Sequence, residues 1–108
     1  MTRARASAVL ISVPDLEMAG HIARTLVEER LAASVNAVPG VRSVYRWRGE
    51  LREASEVLLV AKTASARVPA LAARVQALHS YELPAVVALP LVDGSAAYLD
   101  WIVAESSE

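Results

Sequence analysis

The chain has 108 residues, a formal net charge of −1 and no cysteine, and 55% of its residues are hydrophobic. This length suits one domain spanning residues 1–108, and the composition excludes a strongly basic nucleic-acid-binding protein and a disulfide-bonded scaffold. No apolar run approaches the roughly 20 residues of a membrane-spanning helix, so the hydrophobic excess predicts a surface that another protein chain covers.

The first half of the chain predicts a strand, a helix and a long hairpin. A branched apolar run at 8–13 predicts a buried strand, and Asp15 after Pro14 predicts the N-cap of a helix. Apolar residues at helical spacing form one stripe on that helix: Ala19, Ile22, Ala23, Leu26 and Val27. Segments 34–38 and 41–47 predict strand, and the Pro39-Gly40 break between them is either a turn or a bulge. Gly49-Glu50 then turns the chain into an antiparallel partner at 51–63.

The second half adds a helix, a strand and a last helix. Ser65 is predicted to cap the second helix, with Pro69 near its first turn, and 86–91 predicts a strand. Ser95 is predicted to cap the short last helix. The order βαββαβ plus a C-terminal helix predicts an α+β, ferredoxin-like split βαβ fold. Because both crossovers are expected to be right-handed, the two long helices should cover the same face of the sheet.

The other face of the sheet and the long hairpin have no predicted cover within the chain. The hairpin strands exceed the usual five or six residues, and Tyr45 and Trp47 lie near their tip. Uncovered strand edges invite pairing with another chain. We therefore predict a homo-oligomer and assign Tyr45, Trp47 and Trp101 to its interface.

Few residues could carry chemistry. The sequence has no cysteine nucleophile, no nucleophile elbow and no glycine-rich phosphate loop, so we expect binding and not catalysis. His79 ends the second helix, where it is either a cation at the helix C-terminus or a ligand for a bound group. Lys62 is the one lysine beside ten arginines and shares a strand face with Leu58 and Val60. It must extend to solvent, pair with a carboxylate or meet an anionic ligand.

Several segments, in order, resemble one known family, the CutA divalent-cation tolerance proteins. They are VLISVPD at 9–15, LVEERLAASVN at 26–36, PGV at 39–41, YRW at 45–47, EVLL at 56–59 with KT at 62–63, LHSYELP at 78–84 and YLDW at 98–101. The resemblance implies a cytoplasmic homotrimer of ferredoxin-like subunits, similar in build to the PII-like signalling trimers. It further implies a role in tolerance of divalent metals, copper above all, and no established enzymatic activity.

Two residues depart from the family pattern, which has cysteine where this chain has Ser34 and proline where it has Ser80. A hydroxyl is a harder and weaker ligand than a thiolate, so Cu(I) binding is disfavoured.

The leading prediction is a trimer that binds a divalent cation, Cu(II) or a similar ion, weakly through His79 and Glu82, with no organic cofactor. The alternative is a PII-like regulatory trimer in which Lys62, Tyr81 and Glu82 line an anion pocket between subunits. A purely structural assembly module remains a further alternative. An enzyme using His79 as general base lacks an identifiable nucleophile.

Overall fold

The computed structural model describes residues 4–107. Its elements are β1 (Ala6–Val13), α1 (Leu16–Glu28), β2 (Ser34–Trp47), β3 (Glu50–Ala64), a 3-10 turn (Ser65–Arg67), α2 (Val68–Leu78), β4 (Val86–Leu91) and α3 (Ala96–Glu105). The predicted order and the α+β class are confirmed.

The four strands form one antiparallel sheet in the order β2-β3-β1-β4. The first strand of the chain is central: Ile11 of β1 pairs with Leu59 on one side and with Val86 on the other. This is the strand order of the ferredoxin-like fold predicted from the sequence.

One face of the sheet carries the main core. Alternate residues of β1 and β3, such as Ile11 and Leu59, are fully buried and form one cluster with side chains from both long helices: Ala19, Ile22, Leu26, Leu71 and Val75. Both helices therefore cover the same face, as the handedness of the crossovers predicts. Burial of such side chains contributes about 1.5–3 kcal/mol each before entropic costs.

The opposite face, called here the open face, is uncovered within the chain except at one end, where Ile102 of α3 packs on Ala6. Strand alternation and register assign to it Leu10, Val38, Leu58, Val60, Lys62, Val87 and Leu89. Val87 and Leu89 are 57% and 50% exposed. The expectation of an uncovered apolar face in the single chain is confirmed for the part of the sheet that α3 does not cover.

The hairpin of β2 and β3 is long because a bulge lets β2 continue through the Pro39-Gly40 break. The register shifts between Val38 and Val41, and Gly40 has a φ of 78°, a conformation that favours glycine. Arg48 and Gly49 form the turn with φ values of 49° and 80°, the positive pair typical of a two-residue hairpin loop. The turn thus lies one residue before the predicted Gly49-Glu50.

Two of the three predicted helix caps are confirmed. Asp15 Oδ1 accepts a hydrogen bond from the Met18 N–H at 2.8 Å, and Ser95 Oγ accepts one from the Tyr98 N–H at 3.3 Å. The prediction for Ser65 is wrong, because its hydroxyl is 2.8 Å from the Ser7 hydroxyl and α2 begins only at Val68. Pro69 lies in the first turn of α2, where proline is tolerated.

The end of the C-terminal helix, α3, is hydrogen-bonded to the rest of the domain. The buried Ser106 hydroxyl accepts from the Ala64 N–H at 2.7 Å and donates to the Ile102 carbonyl at 2.6 Å. The Arg30 guanidinium donates to the carbonyls of Ala104 and Ser107 at 3.0 and 2.8 Å. These contacts satisfy carbonyl groups that a helix end leaves free. Within residues 4–107, no helix is long and apolar enough to cross a membrane.

Candidate functional site

A pocket of about 590 Å³ lies between the β2–β3 hairpin and the connection that links α2 to β4. Its walls include three aromatic side chains, two carboxylates and one guanidinium: Tyr45, Trp47, Tyr81, Glu56, Glu82 and Arg52. Ser12 of β1 lines the pocket as well. Glu56 lies two residues before Leu58 on β3, so both side chains point to the open face, and Ser12 pairs with Leu58. The pocket is therefore a continuation of the open face at one end of the sheet.

His79 is buried at the base of the connection, and both of its ring nitrogens are hydrogen-bonded. Nε2 lies 2.7 Å from the Ser12 carbonyl oxygen, to which it donates, and Nδ1 accepts from the Tyr81 N–H at 3.0 Å. The ring is therefore neutral, with its proton on Nε2. Its partners lie in β1 and in the connection itself, so the interpretation of His79 as a cation on the carbonyl groups of the helix end is wrong.

Glu82 is exposed at the pocket and paired with a cation from the hairpin turn. Arg48 Nη2 donates to both carboxylate oxygens, at 2.8 and 3.1 Å. His79 and Glu82 thus lie on one short connection, but each has another partner. No cluster of three or more histidine and carboxylate side chains that could hold a metal ion occurs between residues 4 and 107.

The buried carboxylate of this site is Glu56, which is 8% exposed. Its Oε2 accepts a hydrogen bond from the Tyr81 hydroxyl at 2.8 Å. Desolvation, and then the hydrogen bond to Glu56, raise the pKa of Tyr81 well above its usual value near 10. Glu56 was not predicted as a site residue, although its position two residues before Leu58 on the same strand face was a usable signal.

Lys62 lies on the open face with Leu58 and Val60, as predicted, but at its opposite end. Its ammonium group donates to Asn36 Oδ1. Lys62 lies six positions after Glu56 along β3, a span of roughly 20 Å. Within one chain the structure therefore does not bring Lys62 into the pocket with Tyr81 and Glu82.

Across from Lys62, the buried Ser34 hydroxyl has no hydrogen-bond partner in the described part of the chain.

The aromatic residues predicted for an interface lie in two places. Tyr45 and Trp47 line the pocket, where Tyr45 remains 44% exposed. Trp101 lies on α3, is 43% exposed and stacks on Tyr98 with 5.4 Å between ring centroids. Both places leave aromatic surface accessible in the single chain.

Comparison with known proteins gives a consistent match. The family model described as "CutA1 divalent ion tolerance protein" matches residues 7–105. The divalent-cation tolerance protein CutA of Thermus thermophilus is 55% identical over 94 residues, which are 87% of this chain and 91% of that protein.

Mouse protein CutA is 46% identical over 96 residues, so the chain spans only 54% of that longer relative. A solved structure of the divalent cation tolerance protein from Thermus thermophilus has a TM-score of 0.92 and 51% identity, and the match covers 94% of this chain and 99% of that one. The similarity therefore runs through sequence and fold alike.

Proposed function

Because the chain belongs to the CutA1 divalent ion tolerance protein family, we propose that it is a homotrimeric cytoplasmic protein that binds a divalent cation and catalyses no reaction. His79 and Glu82 supply the metal ligands in this proposal, and Cu(II) is the preferred ion. The ion is the protein's ligand and not a resident catalytic cofactor.

One observation supports this site above others. The connection after α2 carries an imidazole and an exposed carboxylate within four residues, beside a pocket that holds a second carboxylate, Glu56. Imidazole and carboxylate together suit Cu(II) or Zn(II). Pocket hydroxyl groups and water would complete the coordination of an ion that has only two protein ligands from this segment.

The existing hydrogen bonds make the expected affinity low. A metal on His79 Nδ1 displaces the Tyr81 N–H, and a metal on Glu82 competes with the Arg48 guanidinium. Because each of these interactions must be broken before the metal binds, the net free energy of metal binding is reduced. Serine at position 34, where the family pattern has cysteine, removes the soft donor that Cu(I) prefers.

Calorimetric titration with Cu(II) and Zn(II) tests the site. We expect Glu82→Gln to weaken binding and His79→Ala to remove most of it, while His21→Ala, on the exposed face of α1, leaves it unchanged. Because Glu82 is exposed, its variant separates loss of a ligand from loss of the fold. Unchanged binding in both site variants would refute the assignment.

The open face supports assembly into a trimer. It presents a continuous apolar surface that includes Val38, Leu58, Val60 and Leu89, and Val38 is 45% exposed in the single chain. Soluble monomers rarely expose an apolar surface of this kind. An obligate interface here should bury well over about 1,000 Å².

A second candidate is a regulatory trimer that binds a small anion between subunits through Lys62, Tyr81 and Glu82. It is favoured by the position of Lys62, a partly buried cation whose hydrogen-bond partner, Asn36, is neutral. If it is correct, anionic metabolites raise the melting temperature of the parent but not of Lys62→Ala. If divalent metals alone raise it, the first candidate is favoured.

A further inference from the structure

We propose that the pocket between the β2–β3 hairpin and the connection after α2 binds an organic cation, a primary ammonium ion on a small apolar body, with Glu56 as its counter-charge. This inference goes beyond metal binding, because it concerns a different ligand and a different carboxylate. It rests on the charge of Glu56, the aromatic walls of the pocket and the distribution of ion pairs around them.

Glu56 is a buried charge whose hydrogen-bond partner is neutral. Four carboxylates that are more exposed than Glu56 are each paired with an arginine: Asp100, Glu82, Glu50 and Glu29. Glu56 accepts the Tyr81 hydroxyl at its Oε2 atom. Burying a carboxylate costs free energy unless an opposite charge or several donors compensate it. The other oxygen is therefore the natural partner of a positively charged donor.

The neighbouring walls favour an organic cation over a metal ion. Tyr45 and Trp47 present aromatic rings to the same pocket, and aromatic faces attract ammonium groups but supply no lone pairs to a metal. The Trp47 ring already has the Arg48 guanidinium 5.3 Å from its centroid. Glu56 and the Tyr81 hydroxyl offer a metal ion oxygen donors and no imidazole, so they suit Cu(II) or Zn(II) less well than His79 with Glu82 does.

The remaining pocket charges do not neutralise Glu56. Arg52 lines the wall, but its guanidinium is paired with Glu50, at 3.9 Å. Arg48 is held on Glu82. Desolvation is the largest cause of the raised pKa of Tyr81, and the Glu56 carboxylate adds to it through its hydrogen bond and its charge. An anionic ligand would meet that charge directly, so the pocket selects against anions.

The test uses n-butylammonium as the probe, with n-butanol as its neutral counterpart and butyrate as its anionic one. Binding to the intact parent protein is followed through the indole N–H signals of Trp47 and Trp101 in NMR spectra. We expect butylammonium to shift the Trp47 signal in a saturable manner and to leave Trp101 unmoved. We expect n-butanol and butyrate to bind at least about tenfold more weakly, because they lack the charge-assisted hydrogen bond.

Glu56→Gln is the decisive variant, because the amide keeps an acceptor for the Tyr81 hydroxyl and removes the charge. It should weaken butylammonium binding by about tenfold or more. The matched control is Glu53→Gln, since Glu53 pairs with Val44 on the other side of the hairpin and should leave affinity unchanged. Tyr81→Phe should bind the amine at least as tightly as the parent, because the competing donor on Glu56 is gone.

Three results would overturn the proposal: equal binding of butylammonium by the parent and Glu56→Gln, equal binding of butanol and butylammonium, or no binding to the parent. A parallel Cu(II) titration of Glu56→Gln keeps this outcome separate from the metal proposal, whose ligands are His79 and Glu82.

Discussion

Arg48 Nη2 holds both carboxylate oxygens of Glu82, at 2.8 and 3.1 Å, and so joins the hairpin turn to the connection after α2. The two side chains are 68% and 70% exposed, so water screens the pair and its strength is modest. It nevertheless occupies the carboxylate that is proposed to bind a cation. Arg48 therefore competes with any metal at this position.

Replacing Arg48 should raise the affinity for divalent cations. Arg48→Ala frees the Glu82 carboxylate, and we expect a gain of up to about fivefold, because an exposed ion pair contributes at most about 1 kcal/mol. Calorimetry with Cu(II) measures it. Arg46→Ala is the control, since the Arg46 guanidinium donates to the Gly49 carbonyl and not to Glu82. Equal affinities for all three proteins would show that Glu82 is not a ligand.

Truncating Trp47 should weaken the oligomer. If the hairpin lies in a subunit interface, Trp47→Ala removes an aromatic anchor that contributes about 2 kcal/mol or more to association. Light scattering at micromolar concentration should then report a lower mass than for the parent, which is expected to be a trimer. Leu16→Ala, an exposed residue that begins α1, should keep the parental mass. A parent of monomer mass would refute assembly itself.

Tyr81 should make the protein less stable at alkaline pH. Its pKa in the folded state is raised, chiefly by desolvation, so the folded chain keeps a proton that the unfolded chain loses above about pH 10. This contribution to stability is present below that pH and is lost as the pH rises towards the folded pKa. Denaturant unfolding between pH 9 and 11 should therefore show a shallower loss of stability in Tyr81→Phe. Identical pH slopes would contradict the assignment.

The hydroxyl of Ser106 should contribute more to the free energy of unfolding than the hydroxyl of Ser107 does. Ser106→Ala leaves the Ala64 N–H buried without its acceptor, which should cost about 1–3 kcal/mol of unfolding free energy. Ser107→Ala removes an exposed hydroxyl that bonds the Val103 carbonyl and should change stability by less than about 0.5 kcal/mol. Thermal and denaturant unfolding compare the two. A similar loss in both variants would contradict this account.

The elements could be predicted from the sequence because hydrophobic periodicity and turn residues agree along most of the chain. Strand β4 has the predicted bounds, and Asp15 caps α1 as expected. The helix cap predicted at Ser65 was wrong because the Ser65 hydroxyl has a partner 58 residues away, Ser7, which no local pattern reveals.

The site was harder to predict because its hydrogen bonds are tertiary. His79 bonds the carbonyl of Ser12, 67 residues earlier, and Tyr81 bonds Glu56, 25 residues earlier. Charges of both signs lie between Arg46 and Glu56, as is typical of a solvated hairpin, and this concealed that the last of them is buried. The connection itself was singled out from the sequence because it concentrates hydrogen-bonding and titratable side chains, and in the structure it lines the pocket.

The central position of β1 determines the order in which the sheet can form. Ala6 pairs with Ala64 and with Leu91, so the strand that is synthesised first depends on two neighbours that come much later. The β2–β3 hairpin needs only local contacts and can form early, so β1 can pair with β3 but keeps its other edge unpaired until β4 exists. The sheet is completed only after residue 91 has left the ribosome. We therefore expect the slow step of folding to be the addition of β4 to the free edge of β1.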